Sequence, residues 1–271
     1  YRVEGVPGTR ITVQNEPQAR QAWESCLFTP EEERVFAVEH LRPALDTLGL
    51  DDVRILAWDH NKEAVCERAR QVLADTRARE ALSGIAFHWY TGDHFDALRA
   101  TREFLGPDAE LIFTEGCEAY SAGNWKHELS HAEHYAHEII GDLEAGANGA
   151  IDWNILLDSS GGPNHVGNYC DAPAMYDTAT GKLNLRLPYY YLGHFSRFIE
   201  PGARRILSTC YTTDLETTAF ENPDATRVLV VLNRTGRAKR FELVVAGESP
   251  RMRRACVVEL GAHSIATISW R

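Results

Sequence analysis

Short apolar runs alternate with longer segments of helical periodicity through most of this chain, and few folds accept that pattern. The strand-like runs fall at residues 11–14, 53–58, 84–89, 111–114 and 150–153, with helix candidates at 30–48, 62–74, 94–105 and 128–145 between them. Thr29-Pro30 followed by three glutamates opens the first helix: a capping hydroxyl, a proline in the first turn and acid against the helix dipole. Such alternation argues for βα units and a parallel sheet. After about Ser196 the pattern changes to β-branched runs such as Arg227-Val-Leu-Val-Val-Leu232, with turn residues at 233–236. That reads as an all-β module of five or six strands. Five βα units fall short of a (β/α)8 barrel. They fit either an open doubly wound sheet or the later part of a barrel.

Composition narrows the function classes. The 271 residues carry 28 basic and 39 acidic side chains, a formal charge of −11. Nucleic acid is therefore not expected as a partner, because phosphate binding needs a basic footprint. No run approaches the ~18 apolar residues of a membrane span, and no polybasic patch offers a surface anchor. The six cysteines stand far apart in sequence, with no CxxC pair for a structural zinc site. Scattered thiols fit a reducing compartment, which favours the cytoplasm. No glycine-rich phosphate loop occurs, so no cofactor is expected.

The strand ends carry the chemistry. They read Gln14-Asn15-Glu16-Pro17, Asp59-His60-Asn61, His88-Trp89-Tyr90, Thr114-Glu115-Gly116-Cys117 and Asp152-Trp153-Asn154. Active sites of parallel α/β folds gather at the carboxyl ends of strands, so these five clusters predict one cleft lined with carboxylates and aromatic rings. Glu16 and Glu115 end different strands. Two carboxylates flanking one bond suit glycoside hydrolysis, in which one protonates the departing oxygen and the other attacks or activates water. Nearby Trp and Tyr suit the C–H faces of a sugar.

These stretches, together with Gly161-Gly-Pro-Asn164, Tyr191-Leu-Gly-His-Phe-Ser-Arg-Phe198 and Val230-Val-Leu-Asn-Arg234, run in the order of a known family. The chain resembles glycoside hydrolase family 30, especially the branch that includes glucosylceramidases. The resemblance implies an α/β fold: the C-terminal portion of a (β/α)8 TIM barrel over residues 1–200, then a β-sandwich over 201–271. It implies a retaining β-glycosidase acting on a β-glucoside, oligosaccharide or glycolipid, with β-1,6-glucan and β-xyloside as alternative substrates and a non-catalytic carbohydrate-binding protein as the rival reading. Glu16 would be the acid/base, with a raised pKa, and Glu115 the anionic nucleophile, ~5–5.5 Å away. Asn15 would hold the sugar 2-hydroxyl, and Tyr90 would donate to Glu115. His88, Trp153 and Asn164 match positions that line the sugar site. Relatives have three further barrel strands before the Asn-Glu-Pro strand, so an additional N-terminal segment or a second chain is expected to complete the barrel.

Three competing signals are weaker. His127-Glu128-Leu-Ser-His131 is a literal HExxH, the helix motif of zinc hydrolases. At ~100° per residue His127 and His131 lie ~40° apart, but His137, at the third-ligand spacing, lies ~80° to the other side. A solvent-facing, His-rich helix is expected, with no metal, and Met175 is no part of a site. Cys117, two residues past Glu115, is expected to be a packed thiol. Asn233-Arg-Thr235 has the form of a glycosylation sequon but sits where a hairpin turn is expected.

Overall fold

The structure is a computed structural model that describes residues 2–6, 8–119, 127–246 and 253–271. It divides into two compact units, residues 1–120 with 141–171, and residues 121–140 with 172–271.

The first unit is built on a five-stranded parallel sheet whose strands neighbour one another in chain order: β1 (Arg10–Thr12), β2 (Arg54–Asn61), β3 (Gly84–His88), β4 (Glu110–Glu115) and β5 (Gly149–Ala150). Every residue of β3 is buried, as is most of β2. Near-continuous apolar runs of this kind mark a sheet covered on both faces. Leu56, Ala86 and Ile112, on adjacent strands, form one buried cluster. Gly84 lets β3 and β4 close, since a Cβ there would stand 2.0 Å from the Glu110 carbonyl oxygen. At the amino ends, Glu110 accepts Arg10 Nε at 2.9 Å and Nη2 at 2.6 Å and also pairs with Arg54, tying β1, β2 and β4 together.

The covering helices follow local rules. Helix α1 (residues 30–47) starts on a complete capping box: Thr29 accepts from the Glu32 amide and Glu32 accepts from the Thr29 amide. It passes through a π-helical stretch, Phe36–Leu41, before returning to α geometry. Helices α2 (Val65–Val72) and α4 (Phe95–Leu105) fall where the periodicity places them. Helix α3 (Thr76–Ala81), capped by Asp75, was not expected; at six residues it shows too little periodicity to read.

Strand ends differ from the sequence reading in an informative way. β2 continues through His60 and Asn61, which pair with Phe87 and His88. The polar triplet 59–61 thus belongs to the strand rather than ending it. β5 stops at Ala150, leaving Asp152-Trp153-Asn154 in a loop. The ladder slips once between β2 and β3, where Asp59 is the extra residue, and once between β3 and β4, where Thr114 is. Both insertions are β-bulges.

In the second unit, β9 (Arg204–Arg205), β10 (Glu216–Glu221), β11 (Arg227–Asn233) and β14 (Ser264–Trp270) form an antiparallel sheet ordered β14-β11-β10-β9, and β12 (Lys239–Ala246) pairs with β13 (Arg253–Leu260). Leu215, Ala219, Leu229, Val231 and Leu260 make its core, with Phe241, Ile268 and Trp270 packed against them. A hairpin of β7 (Ala174–Asp177) and β8 (Lys182–Leu185) precedes helix α6 (Leu187–Ser196), whose apolar, proline-led sequence has little periodicity. Asn233 is fully buried; its amide nitrogen donates to the carbonyls of Arg237 and Gly261, so the Asn-Arg-Thr triplet is a turn.

Helix α5 (Glu128–Glu144) corrects the expectation of a solvent-facing helix. Ala132, Tyr135, Ala136, Ile139 and Ile140 repeat at three- and four-residue spacing and are buried, leaving exposure to its first turn. Glu128, the glutamate of the HExxH match, accepts the Leu187 amide at 2.5 Å and pairs with Arg186. His137 instead meets Glu216 at 2.5 Å.

Buried in the first unit, Lys62 Nζ pairs with Asp142 Oδ1 at 3.0 Å, both side chains almost wholly withdrawn from water, and sits 4.7 Å from the centre of the Phe95 ring. Lys62→Ala leaves a buried carboxylate without this cation and is expected to cost about 3–5 kcal/mol, read as a lowered urea midpoint at unchanged slope.

Candidate active site

Asp59 is the organising residue of the carboxyl edge of the sheet. The bulge gives Trp58 and Asp59 successive left-handed conformations, with φ of 77° and 49°. Such backbone is costly for non-glycine residues, and buried contacts hold it. The Trp58 amide donates to Glu33 Oε1 at 2.6 Å, and Glu33 Oε2 accepts Arg68 through Nε at 2.9 Å and Nη2 at 2.7 Å. So presented, the Asp59 carboxylate accepts Thr12 Oγ1 at 2.6 Å from β1 and Thr114 Oγ1 at 2.7 Å from β4, and meets His88 Nε2 at 3.1 Å from β3. Its carbonyl accepts the Glu16 amide at 2.9 Å.

The two expected catalytic glutamates lie on either side of His88. Its Nδ1 is 3.5 Å from Glu16 Oε1, and its Nε2 is 4.0 Å from Glu115 Oε2. Both carboxylates keep a sliver of exposure, 12% for Glu16 and 16% for Glu115, while the ring between them has none. His88, expected to line the sugar site, is thus buried between the two carboxylates with no surface of its own exposed. Gln21 donates to Glu16 Oε2 at 2.9 Å. Tyr90, an exposed ring, donates through its hydroxyl to Glu115 Oε1 at 3.1 Å. Gly116 follows Glu115 because a Cβ there would stand 2.6 Å from the Phe113 and Trp89 rings.

Electrostatics reverse the expected order of the two acids. Burial disfavours a charged His88, but Asp59, Glu16 and Glu115 outweigh it and push its pKa up to about 9. That cation holds Glu16 below the usual carboxylate range against the opposing effect of burial. Burial lifts Glu115 instead, more than His88 and Tyr90 lower it. The sequence reading had Glu16 raised and Glu115 anionic; the buried cation lies closer to Glu16, and that sets the order.

The remaining predicted residues have unequal parts. Asn15 is exposed beside Glu16. Trp153 is 47% exposed in the loop after β5, its amide bonded to the Gly116 carbonyl at 3.1 Å. Asn164 is committed to its own loop, its Oδ1 accepting the amides of Val166 and Asn168. Cys117 and Cys170, 53 residues apart in sequence, bring their sulfurs to 3.0 Å, and this contact, with burial, raises the Cys117 thiol.

Comparison with known proteins settles the family. Residues 1–199 match the glycosyl hydrolase family 30 TIM-barrel domain, and residues 202–268 match the family's β-sandwich domain. The chain belongs to glycosyl hydrolase family 30. It is 34% identical over 253 residues to lysosomal acid glucosylceramidase of Mus musculus, covering 87% of this chain and 47% of that protein. Among solved structures, SrfJ from Salmonella typhimurium superposes with a TM-score of 0.93 at 41% identity, over 100% of this chain and 59% of that one. An endo-β1,6-glucanase superposes with a TM-score of 0.83 at 26% identity, over 99% and 60%. The chain thus spans about half the length of the curated relatives it matches. Its parallel sheet is the half-barrel of a family 30 TIM domain.

Within this family 30 site, sequence reasoning missed the role of Asp59. Its signal was the unbroken polar triplet after Trp58, which marks a bulge as readily as a strand end. Replacing Asp59 with Asn removes a charge that holds the His88 proton, and His88 is expected to fall from about 9 toward its ordinary 6.5. Because the folded value is the higher one, charged His88 favours the fold fully below pH 6.5, and that contribution is lost as pH rises through about 9. NMR titration of the His88 ring and urea melts between pH 6 and 9.5 check both: the pH-dependent loss should shrink in Asp59→Asn.

Proposed function

We propose that this chain carries the catalytic pair of a retaining β-glycosidase of the glucosylceramidase type, acting on β-glucosides without a cofactor. The observation that carries the reading is the placement of Glu16 and Glu115 at the carboxyl ends of β1 and β4, on either side of His88, with Tyr90 bonded to Glu115. Glu115 attacks the anomeric carbon while Glu16 gives its proton to the departing glycosidic oxygen. Water then takes up the glycosyl group as Glu16 accepts its proton, returning Glu115 free. Tyr90, partly exposed along its ring but desolvated at the hydroxyl beside Cys117 and Glu115, has a raised pKa, stays protonated and orients the attacking oxygen.

The acid role asks for a proton on Glu16, which His88 opposes in the unliganded site. A sugar that displaces water from Glu16 raises that carboxyl by desolvation, and the proposed cycle depends on this shift. The remaining wall of an eight-stranded barrel is assigned to a further segment, on this chain or another. Similarity to the mouse enzyme supports a glycolipid such as a glucosylated sphingolipid as substrate. Similarity to the endo-β1,6-glucanase supports β-1,6-glucan as a second reading.

Incubation with a 2-fluoro-β-glucoside inactivator tests the proposal. One fluoroglucosyl unit is expected, mapped by peptide mass to Glu115 and absent in Glu115→Gln. Glu16→Gln should slow hydrolysis of unactivated substrates by about 10²–10⁴-fold. An adduct on Glu16 would exchange the two roles, the assignment that the resting pKa order taken alone favours. No adduct and no glucose released from either glucosylceramide or β-1,6-gluco-oligosaccharides would leave a carbohydrate-binding protein.

A further inference from the structure

We infer that Glu16, His60 and His88 form a binding site for a transition-metal dication, zinc foremost, at the carboxyl edge of the half-barrel. One ligand atom from each residue lies within 4.8 Å of the other two. Glu16 Oε1 is 3.5 Å from His88 Nδ1 and 3.8 Å from His60 Nδ1. Tetrahedral zinc with bonds of about 2.0–2.1 Å sets neighbouring ligand atoms about 3.4 Å apart, so these two edges need to close by only a few tenths of an ångström.

Beyond their long approaches to Glu16 the nitrogens are unspent. Both Nδ1 atoms are buried and form no hydrogen bond, and the His88 side chain has no exposure at all. Buried polar atoms in that condition call for a partner. A divalent ion between them and the carboxylate would satisfy both, taking the place of the His88 Nδ1 proton.

The surroundings have the form of a metal site's outer shell. Asp59 Oδ1 meets His88 Nε2 at 3.1 Å, the carboxylate–histidine arrangement that fixes a ring with its other nitrogen toward the metal. Gln21 occupies Glu16 Oε2 at 2.9 Å and leaves Oε1 to face the imidazoles. The backbone delivers the ligands from three directions: Glu16 in a left-handed conformation after β1, His60 just past the β2 bulge, and His88 at the end of β3. Two imidazoles and one carboxylate suit zinc or copper and not magnesium, and they leave a fourth position open for water.

Zinc there would hold the oxygen assigned above to proton transfer. Inhibition of hydrolysis is therefore a consequence that rests on the glycosidase reading, while binding itself does not.

The test is calorimetric titration of the purified protein with zinc chloride, alongside visible absorption with cobalt(II), which absorbs strongly in tetrahedral coordination. One saturable site is expected. His60→Ala should weaken it by at least about 10–100-fold, and so should Glu16→Gln, a second variant in case the first fails to fold. His127→Ala/His131→Ala should leave it unchanged. The inference is overturned if no saturable binding appears, if both His60→Ala and Glu16→Gln bind as the parent does, or if binding vanishes only in the His127/His131 variant. Zinc bound at His60 in a protein that turns over no β-glucoside when metal-free would keep the metal site and sink the glycosidase.

Discussion

A single buried carboxylate governs this structure. A charge withdrawn from water must be paired and hydrogen-bonded or it will not stay charged. Asp59 meets that demand by drawing one partner from each of three other strands, Thr12, His88 and Thr114. The two ladder slips make this possible: the inserted residues are Asp59 and Thr114, and they bond to each other on either side of β3. In an unbroken β2–β3 ladder Asp59 would have stood opposite Phe87, one residue out of step with His88. The bulges are thus the means by which a sheet built for apolar packing acquires a polar rim.

From that rim follows the unequal treatment of the two glutamates. His88 is charged because Asp59 lies behind it, and the charged ring faces Glu16 more closely than Glu115. Glu115 is left with burial and a phenol. Environment, not residue type, separates two chemically identical side chains, which is how paired carboxylates take different parts in one reaction. Further out, the Glu33–Arg68 pair holds the Trp58 amide and so the strained turn that aims Asp59.

Much of this was legible in the sequence. The βα alternation, the all-β ending, and the placing of Glu16, Glu115 and Tyr90 at strand ends come straight from residue order, since parallel strands bring their carboxyl ends to one edge. What depends on register was not legible. Periodicity cannot reveal a one-residue insertion, so β2 is expected to end three residues before it does, and Asp59 passes for a strand end. Nor does a sequence show depth, which buries the His88 ring completely. Depth also reversed the expected pKa order and buried most of helix α5. Cys117 and Cys170 met only through the loop after β6 (Leu156–Asp158), and no spacing rule anticipates that.

The clamp at the opposite edge bears on how the chain reaches this state. Strand β1 pairs with β2 over three residues, and its side-chain anchor, Arg10, grips Glu110 one hundred residues further along. So brief a ladder gains little on its own, and the closure entropy of so long a loop is repaid only once β4 is in place. Glu16, four residues after β1, thus reaches its position late. A chain stalled during synthesis before β4 would carry both histidines and Asp59 but neither Glu115 nor the anchor that seats β1, so that the two carboxylates come together only as the half-barrel is completed.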